Sequence, residues 1–120
     1  TPVGFAELSS VRSEESSSTI RERVMRAGKR QSERFRDHPG IYANAQMGSS
    51  LLRKICVLNS SGSVLLKRAM EKLNLSARAF DRILKVSRTI ADLAETEEIR
   101  TEHLAEAIQY RSLDRESWAG

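Results

Sequence analysis

The feature that most constrains the fold is a run of apolar residues with helical spacing in the second half of the chain. After Ser76, a suitable N-cap, apolar or small residues recur every three or four positions as far as Ala94. Four other segments show the same period, and no segment alternates apolar and polar residues over a useful length. We therefore predict an all-α fold, a helical bundle of about five helices, and no β-sheet.

Interruptions of this period divide the chain into segments. Residues 1–16 are rich in serine and predicted to be an irregular lead-in or linker, and residues 17–118 form one helical domain. Pro39 and Gly40 end the first helix, and Thr101 is expected to cap the last. The fourth helix has the widest apolar face, so we place it at the centre of the bundle. The predicted helices are 17–36, 49–57, 63–74, 76–95 and 101–113.

Composition limits the class of protein. A chain of 120 residues, 39% hydrophobic and 30% charged, fits one domain that buries about two-thirds of its unfolded surface. No apolar run approaches the roughly 20 residues of a membrane span. Cys56 is the only cysteine, which excludes an internal disulfide and suits the reducing cytoplasm, where we expect this protein. Because the chain begins at Thr1, we expect it to be part of a longer protein.

Signals of catalysis and metal binding are weak. His38 and His103 are far apart, and neither has a cysteine or a second histidine at ligand spacing, so we expect no metal site and assign both as solvated or capping residues. The phosphate-loop pattern GxxxxGK[ST] does not occur. One cysteine and two scattered histidines do not provide a convincing nucleophile–base pair. We expect no enzymatic activity from this chain alone.

Basic residues are concentrated in the first half of the chain. The net charge is +4, and residues 1–60 carry all of the excess. One side of the first predicted helix carries a row of arginines, here called the basic stripe: Arg23, Arg26, Arg30 and Arg34. It lies beside a row with helical spacing, formed by the apolar residues Ile20, Val24, Ala27 and Phe35 and the polar Gln31. The stripe could face another domain, a neighbouring subunit or a DNA backbone. Because the aromatic platforms of single-strand binding are missing, we favour a solvated or intersubunit face over DNA.

Arg78 occupies an unusual place. It falls at the second helical position after Ser76, where the helix dipole disfavours a cation by roughly 0.3–1 kcal/mol. From placement alone, the ordinary interpretation is a side chain that extends into solvent or pairs with Asp81 or another nearby acid.

The particular order of residues gives information that the helical period alone does not. The string LSARAFDRILKVSRTIADLAETEEIRTEHLAEAIQYRSLDRESW resembles the C-terminal end of the magnesium-chelatase-like AAA+ ATPases, most of all their ComM (YifB-type) branch. Upstream, SEESSSTIRERVMRAGKRQ is similar to the stretch that joins their nucleotide-binding core to a helical lid. Two positions depart from the family pattern: Gly28 replaces a common arginine, and Ser87 a common alanine. The Ser87 hydroxyl is expected to bond to a carbonyl one turn earlier.

The resemblance implies a role for Arg78. In AAA+ proteins the lid closes over ATP bound in the core, and a sensor-2 arginine from the start of a lid helix contacts the terminal phosphates. Arg78 matches that position, and Arg82, one turn further along, either assists or forms a local ion pair. A helix N-terminus and a guanidinium both favour phosphate oxygens, so the assignment is chemically sensible.

The resemblance also implies a parent protein. It would be a bacterial ATPase that uses ATP and Mg²⁺, forms a ring, expected to be a hexamer, and contacts this lid through its core domain. For the ComM branch the implied substrate is DNA during transformation and recombination, and for true magnesium chelatases it is a porphyrin. The sequence is closer to the former. Two alternatives are open: a free-standing nucleic-acid-binding module that uses the basic first helix, and a purely structural adaptor.

Overall fold

The chain folds into an all-α bundle, which confirms the predicted fold class. The computed structural model describes the backbone of residues 16–119 and the side chains of residues 16–110. The predicted lead-in falls almost entirely outside the described residues. Within them lie five α-helices, one short 3₁₀ turn and no strand. The helices are α1 (Ser17–Arg34), α2 (Ser49–Ile55), α3 (Ser60–Leu73), α4 (Ala77–Leu93) and α5 (Thr101–Ala119), and the 3₁₀ turn is Asn44–Gln46.

Helix α4 is central, as its wide apolar face predicts. It packs against α1, α2, α5 and the 3₁₀ turn. Its N-cap Ser76 has extended backbone, and the Ser76 Oγ accepts a hydrogen bond from the Ala79 N–H at 3.2 Å. Ile83, Leu84 and Ala91 are almost completely buried on the packed face. Ser87 is buried on the same face, and its hydroxyl donates to the Ile83 carbonyl at 2.7 Å, as expected from the sequence.

The other helices complete one apolar core around α4. Helix α5 contributes Leu104 and Ala107, and the segments between α1 and α3 contribute Met47, Leu52 and Cys56. Helix α3 packs on α5 and adds Leu66. Since each fully buried aliphatic side chain contributes about 1.5–3 kcal/mol, this core is the main source of the free energy of folding.

Helix α3 begins earlier than predicted, and helix α5 is capped by a different residue from the one predicted. Helix α3 begins at Ser60 rather than at 63, because the Asn59 side chain accepts from the Gly62 N–H at 2.8 Å and draws the serine-rich segment into the first turn. Helix α5 begins at Thr101 as predicted, but the capping contact is that of His103. Its Nδ1 accepts from the Arg100 N–H at 3.0 Å, so His103 is a buried capping histidine, one of the two roles expected for it.

Helix α1 extends beyond the bundle. Ala27 and Phe35 are buried as the apolar pattern predicts. Ile20 and Val24, which belong to the same pattern, remain 44% and 55% exposed. Periodicity shows that a face is apolar, but it does not show that the described part of the chain covers that face. The first half of α1 therefore keeps its apolar face largely in solvent.

Candidate functional site

The N-terminus of α4 carries the residue that the sequence singled out. Arg78 is the second residue of the helix, at the predicted position, and its side chain is exposed. Within residues 16–110, no hydrogen bond or ion pair joins the Arg78 guanidinium to another group. The Ser76 side chain accepts a hydrogen bond from the Ala79 N–H. The N–H groups of the two helical residues before Ala79 have no intrahelical acceptor. This helix end therefore presents an available cation beside unsatisfied donors.

A groove of about 450 Å³ runs along the first three turns of α4. The Lys85 ammonium group, which lines its far end, donates to the Ala45 carbonyl at 3.3 Å. Three of the six lining side chains are cationic and one is acidic, so the groove favours an anion. The lining residues are Ala45, Arg78, Asp81, Arg82, Lys85 and Val86.

The one acid in this groove is engaged from outside it. The Ser49 hydroxyl, at the start of α2, donates to the Asp81 Oδ2 at 2.5 Å. On the other side of the carboxylate, the Arg53 NH2 lies 3.6 Å from the Asp81 Oδ1. The Arg53 guanidinium also stacks 5.3 Å from the centroid of the Phe80 ring, which fixes its position. The Arg78–Asp81 pair, one of the two forms of the ordinary interpretation, does not form in this structure. The exposed Arg78 side chain agrees with the other form, a side chain that extends into solvent.

The basic stripe lies against the end of α4 that is remote from Arg78. The Arg26 Nε donates to the Glu95 Oε1 at 2.8 Å, and the Arg30 NH2 donates to the Glu95 main-chain carbonyl at 3.1 Å. Glu95 has a left-handed backbone with φ of 59°. Helix α1 is thereby attached to the turn that follows α4. A role of the stripe in contacts with nucleic acid or another subunit stays a prediction.

Arg34, the last residue of the stripe, is part of a buried polar network. Its NH1 and NH2 groups donate to the two Asp92 carboxylate oxygens at 2.9 and 2.7 Å, in the two-point geometry that suits guanidinium. The Asn44 amide also donates to Asp92, at 2.9 Å, and its carbonyl oxygen accepts from Arg34. Arg88 lies 3.1 Å from the same carboxylate and donates to the carbonyls of Glu97 and Thr96 at 2.6 and 2.8 Å. Arg88 and Asp92 are four residues apart in α4, so they lie on one face of the helix.

Burial and charge act in opposite directions on this network. Burial by itself raises the pKa of Asp92, but the hydrogen bonds from Arg34 and Asn44 and the charges of Arg34 and Arg88 outweigh it and hold that pKa below its usual value. The sequence analysis does not predict the Arg34–Asp92 ion pair. The two residues are 58 positions apart, and no local spacing relates them.

Within the described part of the chain, Cys56 and the possible metal ligands form no further site. Burial raises the pKa of the Cys56 thiol to about 11, so this thiol is protonated at neutral pH. Among the described side chains, no group of three or more His, Cys, Asp and Glu residues is placed to hold a metal ion. Over the same residues, none of the helices has both the length and the apolar character needed to cross a membrane.

The Glu95 turn provides a test of the contact between α1 and α4. Glu95→Gly is expected to stabilise the domain by about 0.5 kcal/mol. Glycine removes a left-handed strain of about 1 kcal/mol, while the half-exposed Arg26 pair that is lost contributes only a few tenths. Arg26→Ala, which loses the same pair without relieving the strain, is the matched control and should be slightly destabilising. Urea denaturation measures both variants, and a loss of more than about 1 kcal/mol in Glu95→Gly would contradict this assignment.

The all-α bundle around one central helix is the fold of a helical lid-type domain. Residues 14–111 match the family model described as magnesium chelatase, subunit ChlI C-terminal. The chain belongs to this family of helical lid domains, as the resemblance predicted.

Sequence comparison with individual proteins supports the same family assignment. The chain is 43% identical over 101 residues to competence protein ComM of Haemophilus influenzae and 42% identical over 101 residues to the uncharacterized protein YifB of Escherichia coli. Each match covers 84% of this chain and 19% of the relative. The uncharacterized protein Rv2897c of Mycobacterium tuberculosis is 34% identical over 97 residues, 81% of this chain and 19% of that protein. The chain thus spans about a fifth of the length of these relatives and is similar to ComM/YifB-type C-terminal domains. Family membership implies an AAA+ core domain in the parent chain.

Proposed function

We propose that this chain is the lid of an AAA+ ATPase and that it closes over ATP bound in the core domain of the same protein, with Arg78 contacting the terminal phosphates. The observation that supports the proposal is the Arg78 guanidinium at the N-terminus of α4, which is exposed and has no partner among the described side chains. At this end the helix dipole disfavours a cation, and a bound anion offsets this unfavourable interaction because it interacts favourably with both the dipole and the guanidinium. The guanidinium adds a permanent charge and two parallel donors that match phosphate oxygens.

The groove residues fit a polyphosphate. Arg82 and Lys85 follow Arg78 at intervals of four and seven residues, so the three cations share one face of α4 over roughly 10 Å. When bound, ATP with Mg²⁺ would supply the phosphoryl chemistry, and the core would hold the metal. The contribution of this chain is electrostatic and positional. Since ATP and ADP differ by one phosphoryl group, a contact at this end makes the position of the lid depend on the nucleotide.

The geometry favours the lid over a free-standing nucleic-acid-binding module. Such a module would need the basic stripe to face a phosphate backbone. Instead Arg26, Arg30 and Arg34 contact Glu95 and Asp92 within the domain.

The proposal extends to the parent protein. We infer a cytoplasmic ring, a hexamer by the resemblance, in which neighbouring subunits and the core contact this lid. One relative is named a competence protein. By that likeness, the parent is inferred to remodel DNA during transformation and recombination.

The test is substitution of Arg78 in the full-length protein. Arg78→Ala is expected to weaken binding of a non-hydrolysable ATP analogue about tenfold or more, because charge-assisted hydrogen bonds to phosphate are lost. Isothermal titration calorimetry measures the affinity. Arg100→Ala is the matched control, since Arg100 is an exposed arginine beyond the opposite end of α4. Equal affinities of Arg78→Ala and the unmodified protein would refute the phosphate contact.

A further inference from the structure

Asp81 is a potential competitor for the proposed phosphate contact. It lies three residues after Arg78 and lines the same groove, so the two side chains are neighbours on one helix face. An unrestrained carboxylate at this place would pair with Arg78 or with Lys85, and it would repel an anionic ligand in either case. Helices usually satisfy such an arginine internally by this kind of pair. A phosphate-binding groove therefore needs something that removes the acid from the competition.

The structure supplies that restraint from a different helix. Ser49 donates its hydroxyl proton to the Asp81 Oδ2 at 2.5 Å, a charge-assisted hydrogen bond. Arg53 adds a second, weaker attraction, because its NH2 lies 3.6 Å from the Asp81 Oδ1 and its side chain is 58% exposed. Both partners belong to α2, so the carboxylate is drawn towards α2, and Arg78 has no ion-pair partner within residues 16–110.

We infer that Ser49 is a positioning residue, which holds the Asp81 carboxylate away from Arg78 and so keeps the guanidinium available for phosphate. The inference rests on the proposed function, since it concerns the availability of Arg78 to the nucleotide. Ser49 does not touch the phosphate and acts only through Asp81. The contact between α2 and α4 thereby sets the affinity of the lid for the terminal phosphates, in addition to its role in packing.

The experiment measures the affinity of the full-length protein for a non-hydrolysable ATP analogue by calorimetry. Ser49→Ala is expected to weaken binding roughly two- to fivefold, the range of one exposed ion pair gained by the competitor. Ser49→Thr keeps a hydroxyl and should bind as the unmodified protein does. Ser50→Ala removes an exposed hydroxyl one residue away and is the matched control. In steady-state assays Ser49→Ala should raise the KM for ATP and leave kcat unchanged.

The decisive comparison uses Asp81→Asn, which removes the competing charge. In that background, Ser49→Ala should no longer weaken binding. The affinity of Ser49→Ala/Asp81→Asn is compared with that of Asp81→Asn, and the affinity of Ser49→Ala with that of the unmodified protein. If both pairs differ by the same factor, the serine acts through packing and the inference is wrong. It is also wrong if Ser49→Ala binds as tightly as Ser50→Ala while Arg78→Ala binds weakly, a result that leaves the proposed function intact. If Arg78→Ala itself binds normally, the proposed function fails first.

Discussion

Replacing Asp92 by asparagine is expected to destabilise the domain by about 3–5 kcal/mol, a large part of the stability of a domain of this size. Asp92 has no exposed surface, and two arginine side chains share its carboxylate. Asparagine keeps the size of the side chain but removes the negative charge. The buried Arg88 guanidinium, whose side chain is 5% exposed, then faces Arg34 without compensation. The cost arises from the stranded charge, and it exceeds the small net contribution of an intact buried pair.

Chemical denaturation of the 120-residue chain measures this loss as a shift of the urea midpoint. Glu97→Gln is the matched control. Glu97 has an exposed side chain and contacts Arg88 only through its main-chain carbonyl, so this substitution should change the free energy of unfolding by less than about 0.5 kcal/mol. A loss below about 1 kcal/mol in Asp92→Asn would show that water replaces the carboxylate as a partner of the arginines.

The dependence of this contribution on pH follows from the direction of the pKa shift. The pKa of Asp92 is lower in the folded chain than its ordinary value of 3.8. The unfolded chain therefore binds the proton first, and the stabilisation is fully present above the ordinary pKa. It is lost as the pH falls from about 4 through the folded pKa. The stability difference between the unmodified protein and Asp92→Asn should accordingly shrink on acidification below about pH 4 and stay constant between pH 5 and 8.

The same network shows what the sequence could and could not predict. The position of α4, its cap at Ser76 and the Arg88–Asp92 pair follow from local spacing, because the residues of a pair four positions apart share one helix face. The Arg34–Asp92 pair and the Asn44 bridge depend on how α1 and the 3₁₀ turn pack on α4. Periodicity identifies the face that a helix buries, but not the element that covers it.

In the candidate site, too, the sequence predicts what local spacing determines, but not what depends on the packing of separate helices. The sequence and the family resemblance identify Arg78, and the helix start places it where expected. The restraint on Asp81 by Ser49 joins residues 32 positions apart, and it depends on the angle at which α2 meets α4. From its placement in the sequence alone, Arg78 could extend into solvent or pair with Asp81 or another nearby acid. Only the tertiary contact shows that Asp81 bonds to Ser49 of α2 rather than to Arg78.

Leu104→Ala is expected to cost about 2–5 kcal/mol, the usual range for removing a fully buried leucine side chain. Leu104 has no exposed surface and lies where α5 packs on α3. Its Cδ1 approaches the backbone of Gly62, since a β-carbon built on Gly62 would lie 3.0 Å from it. A methyl group at position 62 would therefore require the Leu104 side chain to move by a few tenths of an ångström.

This close contact predicts that the effect of Gly62→Ala changes sign with the residue at position 104. With Leu104 present, the added methyl group has to displace a buried side chain, and Gly62→Ala should destabilise by about 1 kcal/mol. With alanine at 104, the methyl group enters the vacated space and alanine also favours the helix, so Gly62→Ala should stabilise by about 1 kcal/mol. Urea denaturation of the four proteins in this cycle gives the coupling energy. Ser61→Ala, an exposed substitution in the same turn, controls for helix propensity. Equal effects of Gly62→Ala in both backgrounds would mean that Leu104 does not occupy the space beside Gly62.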